Sequence, residues 1–396
     1  MAMIWAGIDA GKTHHHCVAI DESGRRLLSR RVANDEPELL ELLADVLALG
    51  NEVTRGIDLA DGGAALAITI LFNHEQPVHY LSGRAIHRAS ESYRGEGKTD
   101  AKDAAVIADQ ARIRRDLYPL RTGDETVTDL KIFTGRRMDL VADRTRTVNR
   151  LRAQLTDIFP GLERALDLTN TGPLMLLTGY QTPASLRRAG KKRLETWLRN
   201  RKVLRSDRLA EIALEAAGRQ HTSLPGEKLT AQMVHILARE VMALNQQVSE
   251  LDKAIEARFR EHRDFEVITS MPGLGVILGA KFLAATGGDM SLFGTPDCLA
   301  GLGGVAPVPR DSGKISSNLC RPRRYNRRLQ RVFYIFVLFS IRHCEDSRRF
   351  CERKRAEGKR HIQAVLALVR RRVNVIWALL RDGRTYEAVP PTVLAA

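Results

Sequence analysis

Ile4-Trp-Ala-Gly-Ile-Asp9 is an apolar run that ends in an acid. A short run of this kind is typical of a buried strand. Two further strand-like runs, Cys17–Ile20 and Arg26–Val32, follow it, and Glu22-Ser-Gly24 forms the turn between them. The chain is therefore predicted to begin with a meander of three antiparallel strands.

Helix and strand patterns alternate after this meander. Leucines at helical spacing predict a helix over Glu36–Leu49, and Glu52–Leu59 is the next strand-like run. A helix over Gly62–Phe72 and a short strand over Val78–Leu81 follow. Since this is the element order of an RNase H-like domain, we predict such an α/β domain for residues 1–125.

Four acids of this domain are candidates for a metal site. Asp9 and Asp58 end strands, and Asp100 and Asp103 share one face of the helix that begins nearby. Mg²⁺ prefers carboxylate oxygens, and a pair of ions can stabilise the attacking and leaving oxygens of a phosphodiester. The structural alternatives are a helix cap for Asp100 and turn roles for Asp58 and Asp61. As a set, the four acids favour the metal site.

Three consecutive histidines follow the first strand. On a strand, His14 and His16 point to one face and His15 to the other, so the three cannot reach one ion. None of them is predicted to be a ligand.

The chain after about Ala101 is predicted to be helical. Apolar residues alternate at spacings of three and four over Val234–Ile255, which favours a coiled coil at about 230–260 within a helical region, residues 126–264. A second heptad-like series runs over Val141–Ile158. The two series either pair antiparallel within one chain or pair across subunits.

Charge is concentrated in the C-terminal part. The chain has 396 residues and a net charge of +15, and Arg310–Arg360 contains 16 cations and 5 acids, which favours a nucleic-acid partner. Neither zinc nor a disulfide framework is predicted from the scattered cysteines, which are Cys17, Cys298, Cys320, Cys344 and Cys351. With no signal peptide and no apolar run long enough to cross a bilayer, we expect a soluble cytoplasmic protein without membrane contacts.

A C-terminal domain is predicted over residues 265–383, followed by a disordered tail, residues 384–396. Ser270–Lys281 resembles a helix-hairpin-helix turn, in which the backbone at Gly273 and Gly275 approaches a phosphate. Ser312 lies in a loop between Arg310 and Lys314, and these cations favour a nucleophile at a phosphate. The alternative is an exposed loop serine with no chemical role.

Four motifs together resemble one family: Gly7-Ile-Asp-Ala-Gly-Lys12, Lys98-Thr-Asp-Ala-Lys-Asp-Ala104, Met271-Pro-Gly-Leu-Gly275, and Gly303-Gly-Val-Ala-Pro307 with Ser312-Gly-Lys314. The chain resembles the DEDD transposases of bacterial insertion sequences, the IS one-ten group or bridge recombinases, from Met3 to about Asp382. The resemblance implies a RuvC-like N-terminal domain, a coiled coil and a mostly α-helical transposase domain. It implies that Asp9, Asp58, Asp100 and Asp103 form the acidic tetrad and that Ser312 becomes covalently linked to DNA.

The resemblance also implies partners. These are donor and target DNA, a structured non-coding guide RNA, and further copies of the chain, from a dimer to a tetramer, in which the acids of one subunit join the serine of another. We expect Mg²⁺ as the cofactor, with Mn²⁺ as a substitute. The residues expected to contact nucleic acid are Lys98, Gly273, Gly275, Arg310, Lys314, Arg321, Arg323, Arg324, Arg327 and Arg328.

One position departs from the family pattern, because the second acid is usually Glu and here is Asp58, with Asp61 as a competitor. The predicted function is excision and insertion of an insertion sequence by serine-dependent strand exchange. The alternatives are a RuvC-like Mg²⁺-dependent nuclease with no covalent serine intermediate, and a basic scaffold with a degenerate acidic site.

Overall fold

A computed structural model describes residues 3–50, 52–60, 62–93, 97, 99–121, 123–309, 311–313, 319–320 and 322–387. Its contacts divide the chain into two units, residues 1–122 and 123–396. None of the helices in the described ranges is long and apolar enough to cross a membrane.

The first unit is built on one mixed sheet of six strands. The strands are β1 (Met3–Ala10), β2 (His14–Ile20), β3 (Arg26–Ala33), β4 (Glu52–Ile57), β5 (Val78–Tyr80) and β6 (Tyr118–Pro119). Their order is β3-β2-β1-β4-β5-β6, in which β1, β2 and β3 pair antiparallel and β4 and β5 run parallel to β1. This arrangement confirms the predicted meander followed by alternating elements. The two-residue strand β6, antiparallel to β5, was not predicted.

Helices cover both faces of this sheet. They are α1 (Glu36–Ala48), α2 (Ala65–Asn73), α3 (Gly83–Ser90) and α4 (Asp100–Ile113). On one face, leucines and isoleucines of α1 and α2 bury the apolar side chains Ile4, Ile8 and Ile57. On the other face, α4 covers Trp5 and Val18 with alanines. The sheet therefore has an apolar core on each side, as expected of an α/β domain.

Two strand glycines let α4 lie directly on the sheet. A Cβ at Gly7 of β1 would lie 2.2 Å from the Ala104 carbonyl oxygen and 2.3 Å from the Ala108 nitrogen. A Cβ at Gly56 of β4 would lie 2.7 Å from Leu81 and 3.0 Å from Ile107. Since even a methyl group does not fit at Gly7, this glycine fixes how closely the first turns of α4 approach β1.

The second unit is mostly helical. Its helices are α5 (Glu125–Ile158), α6 (Pro160–Ala165), α7 (Thr171–Gly179), α8 (Pro183–Asn200), α9 (Ser206–Gly218), α10 (Glu227–Arg260), α11 (Phe265–Ser270), α12 (Val276–Thr286), α13 (Pro296–Leu302), α14 (Arg327–His343), α15 (Glu345–Ala356) and α16 (His361–Asp382). A short hairpin is formed by β7 (Val308–Pro309) and β8 (Leu319–Cys320). Gly190, at φ 70°, interrupts α8 with a kink.

The long helices α5 and α10 pack antiparallel within the chain. Three polar pairs join them: Asp129 with Arg258, Arg137 with Asp252, and Arg144 with Asn245. Residue numbers rise along α5 while those of the partners on α10 fall, so the two helices run in opposite directions. The two heptad-like series therefore pack against each other within this chain. Val234, Val241, Val248 and Ile255 of the predicted seam are buried, whereas the alternating leucines are only half-buried.

Two hydrophobic cores occupy the second unit. One lies between α6 to α9 and the end of the α5/α10 pair formed by the C-terminal part of α5 and the N-terminal part of α10, and the other surrounds α12, α14 and α16. Phe282, Phe333 and Phe336 are fully buried in the latter. Tyr386 also packs there, and its backbone N–H donates to Ser270 Oγ at 2.8 Å. Of the predicted tail, residues 384–396, the structure describes residues 384–387, and residues 388–396 lie outside the described part.

Candidate catalytic site

Asp9 and Asp58 lie at the carboxyl ends of neighbouring parallel strands. The register pairs Ile8 of β1 with Ile57 of β4, so the two acids that follow stand at the same level of the sheet. The backbone N–H of Ala10 donates to Asp58 Oδ1 at 3.1 Å, which ties the second acid to the end of β1. The structure thus brings these two predicted acids together. Asp61 lies outside the described residues.

Asp100 and Asp103 occupy the first turn of α4. The helix cap is Thr99, whose side-chain oxygen accepts from the backbone N–H of Lys102 at 3.2 Å. The alternative that Asp100 serves as the cap is therefore wrong. Both carboxylates instead lie where the positive end of the helix dipole favours negative charge, with Asp100 exposed and Asp103 half-buried. The cap Thr99 was missed in the sequence, although Thr before an acidic first turn is its usual signal.

The pKa of Asp58 links the helix to the strand ends. Burial raises the pKa of this carboxyl, and repulsion by Asp103 raises it further, while the hydrogen bond from Ala10 acts in the opposite direction. Asp103 precedes Ala104, whose carbonyl lies against Gly7, two residues before Asp9. The close contact between α4 and β1 therefore places Asp103 near the end of the strand that carries Asp9.

The histidines separate as the strand pattern predicted. His16 pairs with Asp9 across β1 and β2, and burial lowers its pKa while the charge of Asp100 raises it. His15 points to the other face, is buried, and has no hydrogen-bond partner for either ring nitrogen among the described residues. His16 is therefore within reach of the charge of Asp100, and the buried His15 is within reach of the charge of Asp58.

The acids are the kind of ligand that a hard divalent cation prefers, but they do not lie close enough together to enclose one in this structure. They supply carboxylate oxygens, the ligands that Mg²⁺ and Mn²⁺ prefer. Within the described ranges, however, no three His, Cys, Asp or Glu side chains are grouped closely enough to hold a metal ion. The acids form an open group around the ends of β1, β4 and the start of α4. Asp9, Asp58 and Asp103 are the residues that would hold the ion, with Asp100 at the exposed edge.

Ser312 lies in the loop that joins β7 to β8. It is exposed, and Gly313 after it adopts a φ of 55°. The predicted flanking cations Arg310 and Lys314 lie outside the described residues, as do Lys98 and Arg321. The exposed Ser312 side chain is accessible to a large substrate.

Four predicted nucleic-acid contacts lie around the start of α14. Arg323, Arg324, Arg327 and Arg328 are all exposed. Asn326 caps this helix, and its side-chain oxygen accepts from the N–H of Arg328 at 3.0 Å and of Leu329 at 3.1 Å. The first turn contains no acid. Cations at a helix N-terminus oppose the helix dipole, and a bound phosphate removes that conflict.

The two glycines of the turn between α11 and α12 differ. At Gly273, with φ 94°, a Cβ would lie 2.6 Å from the Ser340 nitrogen and 2.7 Å from the Phe336 carbonyl, so packing against α14 already requires glycine. At Gly275, the N-cap of α12, a Cβ would meet nothing within 4 Å. Of the two predicted phosphate contacts, only Gly275 has free space beside it for a ligand.

Comparison with known proteins gives concordant matches. A family model described as transposase matches residues 6–160, and one described as the IS116/IS110/IS902 family of transposases matches residues 265–369. The chain is 57% identical over 396 residues to the 42 kDa protein of insertion element IS900 from Mycobacterium paratuberculosis, with 99% of each chain covered. It is 48% identical over 394 residues to the 44.8 kDa protein of insertion element IS116 from Streptomyces clavuligerus, with 99% of this chain and 98% of the relative covered.

A more distant relative is the mini-circle putative transposase for IS117 of Streptomyces coelicolor, 27% identical over 414 residues, with 99% of this chain and 98% of the relative covered. The first matched segment contains all four acids of the N-terminal unit, and the second contains Ser312 and the basic start of α14. The resemblance inferred from the motifs is confirmed: the chain belongs to the IS116/IS110/IS902 family of insertion-element transposases and is a DNA transposase.

Proposed function

We propose that this transposase excises and inserts its element by a strand exchange in which Ser312 is the nucleophile and the acids near Asp9 hold Mg²⁺. The observation that carries the proposal is the meeting of Asp9 and Asp58 at adjacent strand ends, with the first turn of α4 beside them. The fold thus collects acids that are far apart in the sequence at one edge of the sheet. The relatives of this chain are proteins of insertion elements.

The acids would act through their charge and placement. Asp58 is held by the Ala10 N–H, and its negative charge is disfavoured by burial and by Asp103. A bound cation would stabilise the charged form of Asp58. Transposases of the DEDD family typically use a divalent metal ion. Such an ion supplies charge stabilisation to oxygens of the phosphodiester. Mn²⁺, which accepts the same ligands, is the expected substitute for Mg²⁺.

The serine step makes one bond and breaks one bond. Ser312 Oγ attacks the phosphorus of a DNA phosphodiester, and the P–O bond to one deoxyribose breaks as the Oγ–P bond forms. The serine proton leaves to solvent or to a carboxylate, and the departing deoxyribose oxygen takes up a proton. Attack by the hydroxyl of a second DNA strand reverses the step, releases the serine and joins new ends. Because the phosphodiester energy is kept in the serine ester, joining needs no other co-reactant.

The nucleic-acid contacts would lie at the start of α14 and at the open side of the α11–α12 turn. Arg323, Arg324, Arg327 and Arg328 supply four exposed cations without carboxylates in the adjoining helical turn. We propose that donor and target DNA, and a structured guide RNA that selects them, bind through such cations. Self-association would use the half-buried leucines of α10, since the valine edge is occupied by α5.

Strand exchange between plasmids that carry the element ends and a target tests this function. Ser312→Ala and Asp58→Asn should each abolish exchange while leaving the protein folded, because Ser312 is exposed and Asn keeps the shape of Asp58. If either variant exchanges strands as well as the parent does, the catalytic role proposed for that residue is refuted. Cleavage by Ser312→Ala without joining would instead favour a metal-dependent nuclease.

A further inference from the structure

The turn that joins α8 to α9, residues 201–205, presents an apolar side chain between two cations. Leu204 is 90% exposed, the largest exposed fraction of any large hydrophobic side chain in the described ranges. Lys202 and Arg205 lie on either side of it and are exposed. Exposure of this leucine to water does not stabilise the fold, so its position calls for a functional explanation.

The backbone of this turn is held in an unusual conformation. Lys202 has a φ of 59° and Arg205 a φ of 51°, and the described residues contain one other non-glycine residue with positive φ, Glu75. The Val203 N–H donates to the Leu198 carbonyl at 3.1 Å, which is the helix-ending motif that ordinarily selects glycine one residue earlier. The chain thus has cations at two positions where side chains are strained, and strain of this kind clusters at functional sites.

The turn is anchored so that its tip points outward. Val203 packs into the core of the helical region, where it contacts Gly172. The Arg201 guanidinium lies 3.9 Å from the centre of the Trp197 ring and donates to the Trp197 carbonyl at 3.2 Å. Because the residues that precede the tip are fixed in this way, Leu204 is held outward.

The charge around the tip is strongly positive. Arg199–Arg208 contains five cations and one acid. Arg199 pairs with Glu195, and Arg208 approaches Glu211 at 3.7 Å. Lys202 and Arg205 form no ion pair with any carboxylate of the described residues, so their charges are available to a partner.

We propose that this turn contacts duplex DNA, with Leu204 inserted between base pairs from the minor groove and Lys202 and Arg205 on the flanking phosphates. Apolar wedges bordered by cations are a common way for proteins to unstack and bend DNA. The DNA substrate of a transposase supplies the matching polyanion. The contact lies apart in sequence from the four acids, from Ser312 and from the start of α14, and extends the DNA-binding surface to the helical region.

The test is DNA binding by the full chain with Ser312→Ala, so that no strand is cut. The probe is a mixed-sequence fluorescent duplex that contains 2-aminopurine, whose emission rises when bases unstack. Lys202→Ala and Arg205→Ala should each weaken binding several-fold and lower the slope of log K against log salt by about 1. Leu204→Ala should keep that slope and lose the 2-aminopurine signal.

Two consecutive exposed residues of α10 provide matched controls. Lys228→Ala removes the same charge, and Leu229→Ala shortens a leucine that is 64% exposed. Both should bind DNA as the parent does. Lys202→Gly should raise the midpoint of thermal unfolding yet weaken DNA binding, a combination that a merely structural turn would not give.

Two outcomes overturn the proposal. In the first, all the turn variants keep the DNA affinity, salt slope and 2-aminopurine signal of the parent. In the second, the turn variants lose affinity for a structured RNA hairpin but keep it for the DNA duplex, which would make RNA the partner. Because the assay measures binding and not exchange, either outcome leaves the proposed serine chemistry untouched.

Discussion

The backbone N–H of Ala10 donates a hydrogen bond to Asp58 Oδ1 across 3.1 Å. The bond joins the ends of two strands that are 48 residues apart in sequence and holds Asp58 beside the end of the strand that carries Asp9. Asp is one methylene shorter than the Glu that the resemblance of the sequence led us to expect at this position. The bond to Ala10 shows how the shorter side chain is held at the sheet edge.

Asp58→Asn should stabilise the fold while it abolishes exchange. Because burial and Asp103 raise the pKa of Asp58, its charged form is disfavoured in the folded protein, and a neutral amide relieves that cost. We expect a higher midpoint of thermal unfolding without metal and a loss of strand exchange of roughly a thousandfold. Calorimetry measures the thermal midpoint, and the exchange assay measures the loss of activity. A lower midpoint would show that the carboxylate is structural.

Gly7→Ala should displace α4 and with it Asp103. The new Cβ would meet backbone atoms of Ala104 and Ala108, which cannot rotate away, so we expect a destabilisation of about 3 kcal/mol by denaturant unfolding and loss of exchange. Gly83→Ala, where a Cβ would meet nothing within 4 Å, is the control and should be nearly neutral. Equal effects of the two changes would refute the close contact.

His262 should give the protein a pH-dependent stability. Its Nδ1 accepts from the Asp264 N–H at 3.1 Å, its Nε2 lies 3.4 Å from Asp124, and burial lowers its pKa although both carboxylates raise it. The unfolded chain therefore binds a proton at higher pH than the folded one, so stability falls as pH drops below about 6.5. His262→Asn, whose Oδ1 can replace Nδ1 as acceptor, should flatten the thermal midpoint between about pH 7 and 5. An unchanged slope would mean that other groups control it.

Arg327→Ala and Arg328→Ala should weaken DNA binding without loss of stability. Each removes a cation from the first turn of α14, where the helix dipole opposes positive charge. For each change, the slope of log K against log salt should fall by about 0.9 in a fluorescence titration. Full affinity with both arginines replaced would exclude this helix start as a phosphate contact.

The sequence was sufficient to predict strands β1 to β5 and to place two of the acids at strand ends. A parallel strand ends at the same edge as its neighbour, so Asp9 and Asp58 could be placed together before the register was known. The position of α4 could not be predicted in the same way. Gly7 and Gly56 were read as parts of strands, and only the structure shows that their missing side chains admit a helix.

Periodicity alone could not decide how the long helices pair. The seam of α10 presents the same apolar spacing to a partner in its own chain or in another. The choice is visible in polar pairs such as Arg137 with Asp252, which are 115 residues apart. Ser312 poses the reverse problem, since its flanking cations alone do not distinguish a nucleophile from an exposed loop serine, and the role proposed for it rests on resemblance to the family.

The most direct test of the account is a denaturing gel of the protein after incubation with DNA of the element ends. We expect a band of protein covalently joined to DNA, and mass spectrometry after nuclease digestion should locate the phosphoester on Ser312. Ser312→Ala and Asp58→Asn should bind this DNA without forming the band. A band that persists in Ser312→Ala, or cleaved DNA with no joined protein in the unaltered chain, would contradict the serine mechanism.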